Sequence, residues 1–109
     1  MNYEKFYKEL ISVLKKTKTI KTCSKGKINR IKIIDSKIYV ATLHSHWQYK
    51  EIPEEFIKKA FNAVVKQKEV TQYRLSKELN IKRSAFIMAA FNLLTSIKYD
   101  CQNNSIKII

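Results

Sequence analysis

TQYRLSKELNIKRSAFIMAAF, residues 71–91, carries two helix patterns in succession. Thr71 suits an N-cap, because its hydroxyl can accept a hydrogen bond from a backbone N–H of the first turn. Asn80 tolerates the left-handed conformation that ends a helix. The stretch therefore predicts one helix from Thr71 to about residue 79, and a second that begins at 82 or 83 and ends at 95.

The segments that follow residue 52 predict a further helix and a hairpin around this pair. Pro53 suits the first turn of a helix, and Glu54 and Glu55 complement the positive end of its dipole. An apolar face at helical spacing follows, formed by Phe56, Ile57, Ala60, Phe61, Val64 and Val65. After the pair, IKYD, CQNN and SIKII predict a terminal β-hairpin, since Asn103-Asn104 favours a tight turn.

Residues 1–52 have a different pattern. Apolar residues first recur at helical spacing, namely Tyr3, Phe6, Tyr7, Leu10, Val13 and Leu14. Beyond residue 17, the alternating β-branched residues of INRIKIID and IYVATLH predict two or three strands. Turns are expected around Gly26 and at Asp35-Ser36. This half is predicted to be a helix followed by a small antiparallel sheet.

The helix pair has apolar positions that would hold its helices together, a small residue where they cross and Asn at the turn. These positions are Leu75, Ser76, Leu79, Asn80, Ile81, Phe86 and Ala89. With the hairpin IKYDCQNNSIKI, they resemble the winged helix-turn-helix, a family in which a helix pair docks on nucleic acid and a β-hairpin wing follows. The chain is thus predicted to be one α+β domain, in which a basic helix-and-sheet half (1–52) precedes a winged helix-turn-helix (53–109).

The resemblance implies a role for the polar residues of the pair and the hairpin. The helix starting near Lys82 would be the recognition helix, whose first turns enter the major groove of duplex DNA. Arg83 could bond a guanine edge twice, while Lys82 and Ser84 could reach phosphates or base acceptors. The other positions implied to contact nucleic acid are Gln72, Tyr73, Arg74, Asn92, Lys98 and Lys107.

The second helix departs from the family pattern in one respect. Its outward line is expected to be Ala85, Met88, Asn92 and residue 95 or 96, which offers few groups that can hydrogen-bond bases. Sequence recognition would then depend on the first turn and on Asn92. The apolar outer line could instead receive a protein partner.

Positive charge is a second indication of a partner. The chain has 22 Lys and Arg against 9 Asp and Glu, a formal net charge of +13, which favours a polyanion. Residues 1–50 hold 12 of the basic and 3 of the acidic residues. Lys21, Arg30 and Lys32 are expected to share a sheet face that follows a phosphate backbone, with Lys25 and Lys27 in the turn between. A solvated sheet face, whose lysines discourage edge pairing, is the alternative.

HSHW, residues 44–47, suggests a metal site, because His44 and His46 would project from one face of a strand. No third ligand has a recognisable spacing, so neither a metal nor another cofactor is predicted. A contact of the two histidines and Trp47 with nucleic acid or a partner stays open. Trp47 and Tyr49 are expected to anchor the sheet against the helices.

The predicted function is that of a non-enzymatic regulator that binds duplex DNA, of bacterial, phage or plasmid type. No phosphate loop, nucleophile motif or carboxylate pair indicates an enzyme. Cys23 and Cys101 are expected to be reduced thiols, and no membrane span or signal peptide is predicted, which favours the cytoplasm. The aromatic face of the first helix suggests a homodimer. The alternatives are RNA binding and a mobile-element inhibitor or adaptor, for example anti-CRISPR-like, that binds a nucleic-acid-handling complex.

Overall fold

Three α-helices, one π-helical segment and seven strands make up the described part of the chain, residues 2–22 and 26–109 of a computed structural model. The helical elements are α1 (Tyr3–Lys15), α2 (Glu54–Gln67), π1 (Arg74–Glu78) and α3 (Ser84–Phe91). The strands are β1 (Thr19–Lys21), β2 (Ile28–Ile34), β3 (Lys37–Ala41), β4 (Lys50–Ile52), β5 (Glu69–Thr71), β6 (Ile97–Asp100) and β7 (Ser105–Ile108). The fold class is α+β, as predicted.

The first sheet is an antiparallel meander in the order β1, β2, β3, β4. Asp35 and Ser36 join β2 to β3, as predicted, and their φ angles of 50° and 61° are typical of a two-residue hairpin turn. The sheet has one strand more than the two or three predicted. β4 was missed because its three residues, directly before Pro53, are too few to show an alternation.

The second sheet has the order β5, β7, β6, so the terminal hairpin is confirmed and gains a third strand. The third strand, β5, contains the buried Val70 and comes directly before the helix pair. The hairpin connection is a loop over residues 101–104, in which Asn104 has a φ of 52°. Gln72 donates its backbone N–H to Asn104 O at 2.9 Å, which fixes this loop against the start of the helix pair.

The first helix of the pair covers residues 72–78, close to its predicted bounds, and its part Arg74–Glu78 is π-helical. Its cap is confirmed, because the backbone N–H of Arg74 donates to Thr71 Oγ1 at 3.2 Å. The N–H of Leu79 donates to Arg74 O, five residues earlier, which is the π-helical spacing. Asn80 has a φ of 54° and ends the segment in the left-handed conformation predicted for it.

The second helix, α3, also differs from its predicted bounds. Arg83 has a φ of 64° and occupies the N-cap position, so α3 begins at Ser84. Lys82 and Arg83 therefore precede the helix instead of forming its first turn. α3 ends at Phe91, well before residue 95, and the next residues form turns.

α3 lies in the centre of the molecule, where it contacts α1, β1, β6 and β7. Every residue of α3 except Ala85 is buried, and Met88 is 0% exposed. The outward line expected through Met88 is therefore wrong. A helix that is apolar on all sides is a core helix, and here the first sheet contributes β1 to its covering.

The aromatic face of α1 packs inside the same core. The Phe6 ring lies 4.6 Å from the Phe61 ring and 4.8 Å from the Phe91 ring, measured between centroids. Tyr3 also contacts Phe61, at 5.3 Å. These rings are occupied within the chain, so they give the predicted homodimer no support.

The cysteine prediction needs one correction. Cys101 is disulfide-bonded, whereas a reduced thiol was expected. Cys23, the other residue of that prediction, lies outside the described residues. None of the helices in the described ranges combines the length and the apolar character needed to cross a membrane.

Candidate nucleic-acid interface

The outer face of the first sheet carries the predicted basic residues. Burial alternates along β2, so that Arg30 and Lys32 are exposed while Asn29 is buried. Lys21 of β1 pairs with Ile28 and is exposed on the same face as Arg30 and Lys32. The strands therefore show the alternation of exposed and buried residues from which this shared face was predicted.

Two aromatic rings accompany these cations. The Arg30 guanidinium carbon lies 4.0 Å from the centre of the Trp47 ring, and Lys32 Nζ lies 5.6 Å from the centre of the Tyr49 ring. Both are cation–π distances. Trp47 and Tyr49 were expected to anchor the sheet against the helices, which is wrong, because they lie over the outer face. We call Arg30, Lys32, Trp47 and Tyr49 the β2 strip.

The pairing was missed although the sequence holds a signal for it. Arg30 and Lys32 are two residues apart on one strand, and Trp47 and Tyr49 are two residues apart in the segment that leads into β4. β3 lies between β2 and β4 in the sheet, so the equal spacing lets Trp47 meet Arg30 and Tyr49 meet Lys32 over the outer face, across β3. Without β4 in the predicted sheet, nothing in the sequence brings these segments together.

A loop of defined shape presents Trp47. Thr42 and Ser45 bond each other reciprocally, since Thr42 N–H donates to Ser45 Oγ at 3.1 Å and Ser45 N–H donates to Thr42 Oγ1 at 3.3 Å. Trp47 N–H donates to Thr42 O at 2.8 Å and closes the loop. His46 and Trp47 have φ angles of 55° and 59°. The strand predicted for the two histidines is therefore a loop.

A groove of about 990 Å³ joins the two halves of the chain beside this loop. It brings together three residues predicted to contact nucleic acid, Lys27, Gln72 and Arg83, with His44 and Trp47. Trp47 thus belongs to both the groove and the β2 strip. Lys27, Arg30, Lys32 and Arg83 consequently lie on one surface that crosses from β2 to the start of α3.

Arg83, which lines the groove, has an unusual backbone conformation. It is half-buried at the N-cap position of α3, in a left-handed conformation that is uncommon for a side chain of this size. Lys82 beside it is exposed. Ser84 is only 5% exposed, so its hydroxyl is not presented on the surface as the resemblance implies.

Of the three predicted residues that open the helix pair, Gln72 and Arg74 have side-chain partners among the described residues and Tyr73 does not. Gln72 Oε1 accepts a hydrogen bond from Asn104 Nδ2 at 2.6 Å. Arg74 forms an ion pair with Glu78. Tyr73 stays exposed, at 67%. Gln72 therefore holds the hairpin loop, and Arg74 is engaged on π1.

The predicted residues beyond α3 divide into two kinds. Asn92 Oδ1 accepts a hydrogen bond from the Tyr99 N–H at 2.8 Å, so this side chain joins α3 to β6. Lys98 and Lys107 are exposed and stand directly opposite each other on the hairpin. Opposed like charges cost stability unless an anion or an acid accompanies them, and Glu69 pairs with Lys107 from the other side. Lys25, also predicted, lies outside the described residues.

The described residues contain no group of three or more His, Cys, Asp or Glu that could hold a metal ion. Comparisons with protein-family models, with curated proteins and with solved structures find no match to this chain.

Proposed function

We propose that the chain is a non-enzymatic nucleic-acid-binding protein, with DNA as its ligand, in the regulator class that the sequence predicts. The observation that carries the proposal is the continuity of one cationic surface. It runs from Lys32 and Arg30 on β2, through Trp47, to Lys27 and Arg83 in the groove. A phosphate backbone is the complementary partner for such a surface.

The order of elements after Pro53 supports the winged helix-turn-helix part of the proposal. A helix, a helix pair and a β-hairpin follow one another in the order that the resemblance requires. The mode of binding differs from that family's in our proposal. Because α3 is buried along its length, it offers only its start to the ligand, and the first sheet supplies the main contacts.

Salt dependence tests the proposal directly. If Lys21, Lys27, Arg30, Lys32 and Arg83 each neutralise one phosphate of duplex DNA, raising salt from 50 to 200 mM lowers affinity by roughly 500-fold. Anisotropy titrations of a labelled duplex at several salt concentrations measure this slope. An affinity that is flat in salt, or an absence of binding at 50 mM, contradicts the proposal.

A second candidate function is that of an adaptor or inhibitor that binds a protein of a nucleic-acid-handling complex. It is favoured by Leu43, which lines the groove and is 72% exposed, and by Ile28, 46% exposed beside it. Exposed apolar groups of this kind are common where a protein partner binds. The adaptor predicts only weak, sequence-independent and salt-sensitive DNA binding, whereas the regulator predicts tight binding to a preferred sequence.

A further inference from the structure

We infer that the β2 strip binds unpaired bases, so that the ligand of this surface is single-stranded nucleic acid; the inference rests on the proposed function. The strip combines positive charge with aromatic faces, and a surface that binds only duplexes does not need both. Arg30 and Lys32 offer charge for phosphates, and Trp47 and Tyr49 offer aromatic faces beside them. Aromatic faces gain binding energy only from bases whose own faces are accessible.

The geometry of the strip favours the binding of single strands over that of duplexes. Residues two apart on a strand are about 7 Å apart, so the two cation–aromatic pairs on β2 are separated by about that distance. Bases in a duplex are stacked about 3.4 Å apart along each strand and expose only their edges. An extended single strand can place successive bases against successive rings while its phosphates meet Arg30 and Lys32.

The groove provides a continuation of this path. Trp47 lines it, and Lys27, Gln72 and Arg83 add a cation, an amide and a guanidinium on its other walls. Its volume of about 990 Å³ exceeds that of a single base, so an unstacked base beside Trp47 has room and polar partners. Tyr73, by contrast, is an exposed aromatic residue that is not among the groove residues.

Trp47 is the only tryptophan of the chain, so its fluorescence reports on this site alone. We expect oligo(dT) or oligo(U) to quench the emission of the full-length chain, because a base stacks on the indole. A duplex with the same number of phosphates should bind more weakly and leave the emission nearly unchanged. Comparing oligo(dT) with oligo(U) identifies the sugar that the site prefers, since both present unpaired bases on a phosphate backbone.

Substitutions at Trp47 separate stacking from charge. Trp47→Leu should weaken single-strand binding about tenfold, as expected for loss of one base–aromatic stack, and Trp47→Phe should restore most of it. Both are measured by anisotropy of the labelled oligonucleotide. Tyr49→Leu, at a more exposed position, is the second variant if Trp47→Leu lowers the melting temperature.

The outcomes distinguish the inference from the proposed function. Equal affinity for single strand and duplex, with no quenching and no effect of Trp47→Leu or Tyr49→Leu, overturns base stacking and leaves salt-dependent DNA binding in place. Absence of binding to any of the three nucleic acids at 50 mM salt overturns both. Tight binding of oligonucleotides that depends on Trp47 supports both.

Discussion

The sequence links two elements to nucleic acid, α3 and β2, and they differ in exposure. The fold buries α3 and leaves one face of β2 exposed. α3 is the predicted recognition helix, yet seven of its eight residues are buried. β2 is one strand of a sheet with one covered face, and its Arg30 and Lys32 face outward. The surface that stays available to a partner is therefore determined by the elements that pack around a motif, and not by the motif's position in the chain.

Met88→Ala should give the largest effect, because it tests whether α3 is a core helix. Removing most of a fully buried methionine side chain lowers the free energy of unfolding by about 2–5 kcal/mol. Urea denaturation measures it. Thr95→Ala is the control, since Thr95 is exposed just beyond α3 and its loss should change stability by no more than about 0.5 kcal/mol. Equal, small effects of the two substitutions would mean that α3 is exposed after all.

The Arg30→Ala/Lys32→Ala double variant tests the other side of the comparison. Loss of two phosphate contacts should reduce the slope of log affinity against log salt for duplex DNA by about 1.8. Lys59→Ala/Lys66→Ala removes the same charge from exposed positions of α2. This control should leave the slope nearly unchanged. If both double variants lower the slope equally, net charge alone accounts for binding and the β2 strip has no special role.

Much of this contrast was predictable from local patterns, and the rest was not. The period of two placed Lys21, Arg30 and Lys32 on one face, and Asp35-Ser36 was correctly predicted as the turn between β2 and β3. These features depend on residues close in sequence.

The features that escaped prediction depend on contacts between distant residues. The contact between Trp47 and Arg30 depends on the pairing of β4 with β3. The three residues of β4 are too few for the sequence to predict that pairing. The burial of α3 depends on elements from both halves of the chain, since α1 and β1 contact it as well as β6 and β7. The uniformly apolar sequence of 85–91 did carry a signal for burial, but the resemblance to a recognition helix favoured an exposed face.

Arg83 links the two regions, and glycine at this position should separate stability from binding. Arg83→Gly relieves a left-handed backbone, so the free energy of unfolding should stay constant or rise by up to about 1 kcal/mol. Nucleic-acid affinity should fall because the guanidinium leaves the groove. Asn80→Gly is the matched control, with the same type of backbone and no place among the groove residues. Unchanged affinity of Arg83→Gly would remove Arg83 from the interface.

Asp100 should give the smallest effect, in the hairpin that follows α3. Its carboxylate accepts hydrogen bonds from the backbone and side chain of Asn103 and from the backbone of Gln102, which lower the pKa of Asp100. A lowered pKa in the folded state stabilises the loop above the ordinary value of 3.8, and this contribution disappears as pH falls through the lowered value. An NMR titration of the carboxyl should give a midpoint below 3.8. A midpoint at or above it would mean that these hydrogen bonds do not form in solution.

Backbone amide shifts measured by NMR while a short oligonucleotide is added test most directly whether the sheet, and not α3, forms the interface. We expect the largest changes at Arg30, Lys32, Trp47 and Arg83, together with the indole N–H of Trp47. Changes centred on 85–91 and on the hairpin lysines, with β2 unaffected, would contradict this expectation.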